Sequence, residues 1–180
     1  MKNVNWNDVQ DDIRHPVPGG YAAKITRVED NEDKEYLKIE WEFTDGEFKG
    51  ANRETFVAFD FWPLAFICSY KEKALRFFKG FKTAVEESNP GFTFKNDPQS
   101  LVGKFIGVVL AEEEYLSKTN EVKTRLYVAE KRSGKAIRNG DYKVPELKKL
   151  PAGTNAAPSY AAPAANNYSV ITDDDAELPF

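Results

Sequence analysis

The stretch from Glu35 to Thr44 restricts the fold more than any other part of the chain. Leu37, Ile39, Trp41 and Phe43 fall on alternate positions, with Lys38, Glu40 and Glu42 between them. Successive side chains of an extended chain point to opposite faces, so four large apolar groups share one face and three charges take the other. This predicts a half-buried β-strand. Asp45-Gly46, a hairpin signal, follows it. The same period runs through Tyr21–Glu29, where Tyr21, Ala23 and Ile25 alternate with Ala22, Lys24 and Thr26 after a Gly19-Gly20 turn.

A third strand is predicted over about Arg53–Trp62, apolar on both faces through Phe56, Phe59, Phe61 and Trp62. Pro63 then permits a helix start. Ile67, Tyr70, Ala74, Phe78, Phe81 and Val85 recur in steps of three and four, predicting an amphipathic helix over about Leu64–Glu87 that ends at Asn89-Pro90-Gly91. A fourth strand is expected over about Lys104–Tyr115 and a fifth over about Val122–Glu130, joined as an antiparallel hairpin. Residues 133–150 read as a polar, basic extension. The expected fold is mainly β with one helix: a five-stranded Greek-key barrel of the oligonucleotide-binding (OB) kind, with the helix between strands 3 and 4.

The organisation reads as an N-terminal arm over residues 1–18, a folded domain over 19–150 and a linker with a tail over 151–180. From Pro151 to Ser169 the chain is mostly Ala, Pro and Asn, which lacks the apolar mass to offset the entropy of ordering. Such a linker can carry its end about 25 Å from the body. The chain then closes on Asp173, Asp174, Asp175, Ala176, Glu177, Leu178, Pro179 and Phe180. An acidic run ending in one apolar ring beside a terminal carboxylate suits an apolar pocket rimmed by Lys or Arg.

That ending resembles the C-terminal tip of bacterial single-stranded DNA-binding proteins. Asp173, Asp174 and Asp175 match its acidic run, and Leu178, Pro179 and Phe180 match its tip, with Ala176-Glu177 as an insertion. The body is similar to the divergent single-stranded DNA-binding proteins of bacteriophages through Gly19–Ile25, Tyr36–Phe43 and Gly140–Leu147. The resemblance implies a protein that coats single-stranded DNA during replication and recombination. It also implies that Asp173, Asp174, Asp175, Leu178, Pro179 and Phe180 recruit replication, recombination and repair proteins.

Charge agrees once it is localised. The chain carries a net −4, yet all 25 Lys and Arg precede residue 151, as do 25 of the 29 Asp and Glu. The body is therefore neutral, and a neutral body binds nucleic acid where its bases are sorted onto one face. Between Lys118 and Arg138, seven Lys and Arg stand against two Glu. Within that stretch Lys123, Arg125 and Tyr127 share a strand face, which joins the cations and the flat ring that a single strand needs. The other reading of these three is an ordinary polar strand face. Tyr36, Phe56 and Trp62 are further candidate stacking rings, while Lys24, Lys38, Arg53 and Arg132 extend the basic path. Trp41 lies in the apolar register and is assigned to the core. A second basic run, Lys71–Lys82, reads as the solvated face of the helix.

Several classes are disfavoured. One Cys, Cys68, precludes an internal disulfide and fits a reducing cytoplasm. One His, His15, gives no Cys/His zinc cluster. No metal or other cofactor is expected. Glu112-Glu113-Glu114 alternates across a strand and cannot converge on one ion, which weakens a metal-nuclease reading, and no GxxxxGK[ST] phosphate loop occurs. No apolar run is long enough to span a membrane. The remaining rival is a protein-interaction adaptor without a DNA groove. Homo-oligomerisation is left open.

Overall fold

The computed structural model describes residues 14–151. The tail residues Asp173, Asp174, Asp175, Leu178, Pro179 and Phe180 lie outside them, as do most of the arm and the linker.

Among the described residues five strands form one open antiparallel sheet: β1 (Gly19–Asn31), β2 (Tyr36–Phe43), β3 (Phe66–Ser69), β4 (Phe105–Leu116) and β5 (Val122–Arg132). Their order across the sheet is β3-β2-β1-β4-β5. β2 forms where the alternation requires it, with Leu37, Ile39, Trp41 and Phe43 buried. β1 is long enough to serve two neighbours. Its first half pairs with β4, and a register shift between Ile25 and Arg27 lets it continue along β2. Such an irregularity bends a strand and increases its twist. Ile106, Val108 and Leu110 of β4 complete the inner face. Fully burying side chains of this size contributes roughly 1.5–3 kcal/mol each.

Among the described residues three α-helices accompany the sheet, not one. α1 spans Ala51–Phe59, α2 spans Leu75–Ser88 and α3 spans Gly134–Asn139. α2 lies between β3 and β4 in the chain and covers the inner face of the sheet with Phe81, Ala84 and Val85. α3 lies on the opposite face. Ile137 packs so closely on Gly107 that a Cβ there would stand 2.4 Å from its Cγ1, and Tyr142 covers Gly20 in the same way.

The third strand is corrected by this arrangement. Arg53, Phe56 and Trp62 were assigned to it, but Arg53 and Phe56 lie in α1 and Trp62 in the loop that follows. The Glu42 carboxylate accepts hydrogen bonds from the backbone N–H groups of Asn52 (3.2 Å) and Arg53 (2.7 Å), binding the first turn of α1 to β2. Arg14 clamps the same turn through Glu54, with Nε donating to Oε2 at 3.1 Å. β3 forms instead at Phe66–Ser69, inside the span expected to be helical, because its backbone pairs with Tyr36–Ile39. The helix therefore shortens to α2, preceded by one 3-10 turn at Glu72–Ala74.

Candidate nucleic-acid interface

β4 and β5 run on past the end of β1 as a projecting hairpin. Its pairs are Ala111 with Tyr127, Glu113 with Arg125 and Tyr115 with Lys123. The residues of these pairs share the outer face, since Leu110 and Val128 point to the core. Lys123, Arg125 and Tyr127 are thus aligned on one side. Lys123 and Arg125 are exposed, and Tyr127 is half-buried.

Each cation on this face has an acidic neighbour. Arg125 Nε donates to Glu113 Oε1 at 2.9 Å, and its guanidinium lies 5.1 Å from the Tyr115 ring centroid. Lys123 Nζ is 3.6 Å from Glu121. Lys148, on the C-terminal strap, reaches Glu113 at 3.7 Å. The strap is pinned by backbone bonds from Glu114 N to Lys148 O (2.9 Å) and from Lys148 N to Glu112 O (3.0 Å). Glu113 therefore spaces two cations beside two tyrosine rings. Glu113 is the shielded partner, with 15% of its side chain exposed, while Arg125 and Lys148 each keep about half of theirs in solvent. Burial first, and Glu113 second, raise the Tyr127 hydroxyl above its ordinary value, which keeps it a neutral donor.

The other expected residues lie elsewhere on the sheet. Lys24, Tyr36 and Lys38 sit on the outer face of β1 and β2. Lys24 Nζ is 5.9 Å from the ring of Phe105, its cross-strand neighbour. Lys38 Nζ is 3.8 Å from Glu40. The Tyr36 hydroxyl accepts a hydrogen bond from Asn31 Nδ2 at 3.2 Å. Phe56 and Trp62 form a tilted ring pair with centroids 5.7 Å apart, and Trp62 Nε1 donates to the Trp41 carbonyl at 3.0 Å. Arg53, at the start of α1, is exposed. Arg132 is paired with Glu130 at 2.7 Å, beyond a register shift in β5 and opposite Gly107. α3 and Tyr142, seated over Gly107 and Gly20, separate the hairpin group from the Lys24 group. The two do not merge into one continuous strip.

Tyr115, Lys148 and Phe105 were missed. The register of the hairpin places Tyr115 opposite Lys123, so counting back from the turn reaches it. Lys148 carries no local signal, because only the strap brings it near. Phe105 stands at the first position of β4 and is 48% exposed.

Glu42 supplies a test of how α1 is held. Burial is the leading influence on its carboxyl and raises it above the ordinary glutamate value, while the backbone donors Arg53, Phe43 and Asn52 pull it down. A carboxyl raised in the folded state takes up its proton more readily there than in the unfolded chain. Its contribution to stability is thus present at acidic pH and lost as pH rises through the raised value. Glu42→Gln keeps one acceptor oxygen and should flatten that dependence. Glu42→Ala leaves the helix donors unpaired and should cost about 1–3 kcal/mol. Urea melts from acidic to neutral pH distinguish the two, and a negligible loss in Glu42→Ala would rule out the carboxylate as the anchor.

Cys68 is buried, and burial pushes its thiol up to about 12. Among the described residues no group of three His, Cys, Asp or Glu is placed to hold a metal ion, and no helix is long and apolar enough to cross a membrane. No protein-family model matches the chain, and no curated protein matches its sequence.

Proposed function

We propose that this chain is a non-enzymatic protein that binds and protects single-stranded DNA without strong sequence preference. The observation that carries the reading is the alignment of Lys123, Arg125 and Tyr127, with Tyr115 beside them, on the free face of the β4–β5 hairpin. Phosphates meet the cations and bases stack on the rings, each stacked base contributing roughly 1–3 kcal/mol. The Lys24–Phe105 and Phe56–Trp62 groups offer separate secondary contacts. The acidic tip, Asp173–Asp175 with Leu178–Phe180, recruits replication or recombination proteins, and tethering to the body raises their local concentration. The resemblance to bacteriophage proteins supports action in the cytoplasm of a bacterial host.

The OB-type barrel belongs to the same proposal. The order β3-β2-β1-β4-β5 is that of such a barrel opened between β3 and β5, with α2 following β3 as that fold requires. Lys131 Nζ of β5 lies 5.1 Å from the Phe66 ring of β3, so the two outer strands approach without a shared ladder.

A labelled oligo(dT) titration tests the function. Lys123/Arg125/Tyr127→Ala should weaken binding about 100-fold, as expected from losing two charge contacts and one stacked base. The log–log salt dependence should be about −0.7 per neutralised phosphate, shallower in the variant. Unchanged affinity in the variant would remove the hairpin from the interface. A second reading, the adaptor without a DNA groove, is favoured by the pairing of Arg125 and Lys148 with Glu113 and of Lys123 with Glu121. It predicts no saturable oligo(dT) binding at moderate salt.

A further inference from the structure

β3 and β5 end the sheet on its two sides, and among the described residues each has one strand neighbour. α2 packs across both. Between the three elements runs an open groove of about 1060 Å³. Its floor is apolar, with Phe81 and Ala84 buried and Phe77 58% exposed. Its rim carries Arg76, Lys79, Lys131 and Arg132 against Glu87 and Glu130. Arg132 and Glu130 satisfy each other at 2.7 Å, which leaves the rim basic. The Arg76 guanidinium lies 4.8 Å from the Phe77 ring centroid and Lys131 Nζ lies 5.1 Å from that of Phe66, so two of the cations rest against aromatic faces.

We propose that this groove docks an extended acidic segment of another protein. A strand edge presents main-chain donors and acceptors that a second extended chain can meet. Side chains alternate along such a segment, so its apolar groups can enter the floor while its carboxylates face the rim. A polynucleotide fits less well, because it has no alternating main-chain amides to match a strand edge and Phe77 is the one exposed ring in the lining. Lys131 lies on the inner register of the sheet, opposite Val108, whereas Lys123, Arg125 and Tyr127 lie on the outer one. A segment held here leaves the hairpin face free, which gives the protein a second means of recruitment, separate from its tail. The inference does not depend on the nucleic-acid reading.

The test uses the full chain and a fluorescein-labelled peptide of about ten residues, the length of a long strand, alternating Glu with Val. Fluorescence anisotropy should show saturable binding, and amide exchange should slow at β3 or at Ala129–Arg132. Arg76→Glu combined with Lys79→Glu should weaken the peptide about tenfold or more while leaving the melting temperature and oligo(dT) affinity unchanged. Phe77→Asp should do the same through the floor. Equal binding of a Lys/Val peptide, or no saturable binding, would overturn the proposal. Displacement of the peptide by oligo(dT) would assign the groove to nucleic acid instead. A sharp gain in peptide affinity on changing Asp173, Asp174 and Asp175 to Asn would assign it to the chain's own tail. Peptide binding without any oligo(dT) binding would sink the nucleic-acid reading and leave the groove standing.

Discussion

Replacing Trp41 with Ala is expected to lower stability by about 3–5 kcal/mol. Trp41 is fully buried, and its ring meets Phe43 at a centroid distance of 4.8 Å. Its Nε1 donates to the Leu64 carbonyl, just before β3. Its own carbonyl accepts from Asn52 Nδ2 at 2.8 Å and from Trp62 Nε1 at 3.0 Å. The residue therefore fills the core and fastens the α1–β3 connection to β2 where β3 no longer pairs. Ala opens a cavity and leaves Leu64 without its donor. Trp41→Phe retains most of the volume and should lose less, mainly the hydrogen bond, at about 1–2 kcal/mol. Urea denaturation followed by far-ultraviolet circular dichroism gives both values without relying on the altered tryptophan signal. A loss under about 1 kcal/mol for the Ala variant would contradict the packing described.

Gly107→Val should be nearly as severe, at about 1–3 kcal/mol or more. A Cβ at this position would lie 2.4 Å from Ile137 Cγ1, 2.9 Å from the Ser133 carbonyl oxygen and 3.1 Å from that of Arg132. The two carbonyls are backbone and cannot swing away. α3 cannot retreat easily either, because the Gly134 N–H donates to Ser88 Oγ at 2.9 Å and ties it to α2. The expected result is a loosened α3, seen as faster amide exchange over Gly134–Asn139 and a lower melting temperature. Gly20→Ala offers a contrast. The three atoms nearest its Cβ all belong to the Tyr142 ring, a side chain that can turn aside at smaller cost. If Gly107→Val melts like the parent, α3 does not sit on the sheet as described.

The two surfaces differed in how far local sequence could reveal them. The hairpin face was legible because Lys123, Arg125 and Tyr127 are separated by two residues each, and an extended chain turns such positions the same way whatever surrounds it. Trp41 was legible for the same reason. Arg53–Trp62 was not, because it is apolar on both faces and offers no period to choose strand from helix. The choice fell to Glu42 and Arg14, which reach α1 from other parts of the chain. β3 was hidden inside a helical period, since Ile67, Tyr70 and Ala74 fit one, and its four residues are too few to outweigh that signal.

Local residue pattern is enough to set which faces of β1, β2 and β5 are apolar, where α2 ends and that the acids surplus to a neutral body lie in the last eight residues. Those properties depend on backbone period and side-chain chemistry, which act over a few residues. Long-range packing is what makes a four-residue strand form at Phe66, lets α3 and Tyr142 divide the outer face, and has β3 and β5 bound a basic, apolar groove. Each of these rests on contacts between residues far apart in the chain, and no local pattern records which distant partner an edge, a glycine or a carboxylate will meet.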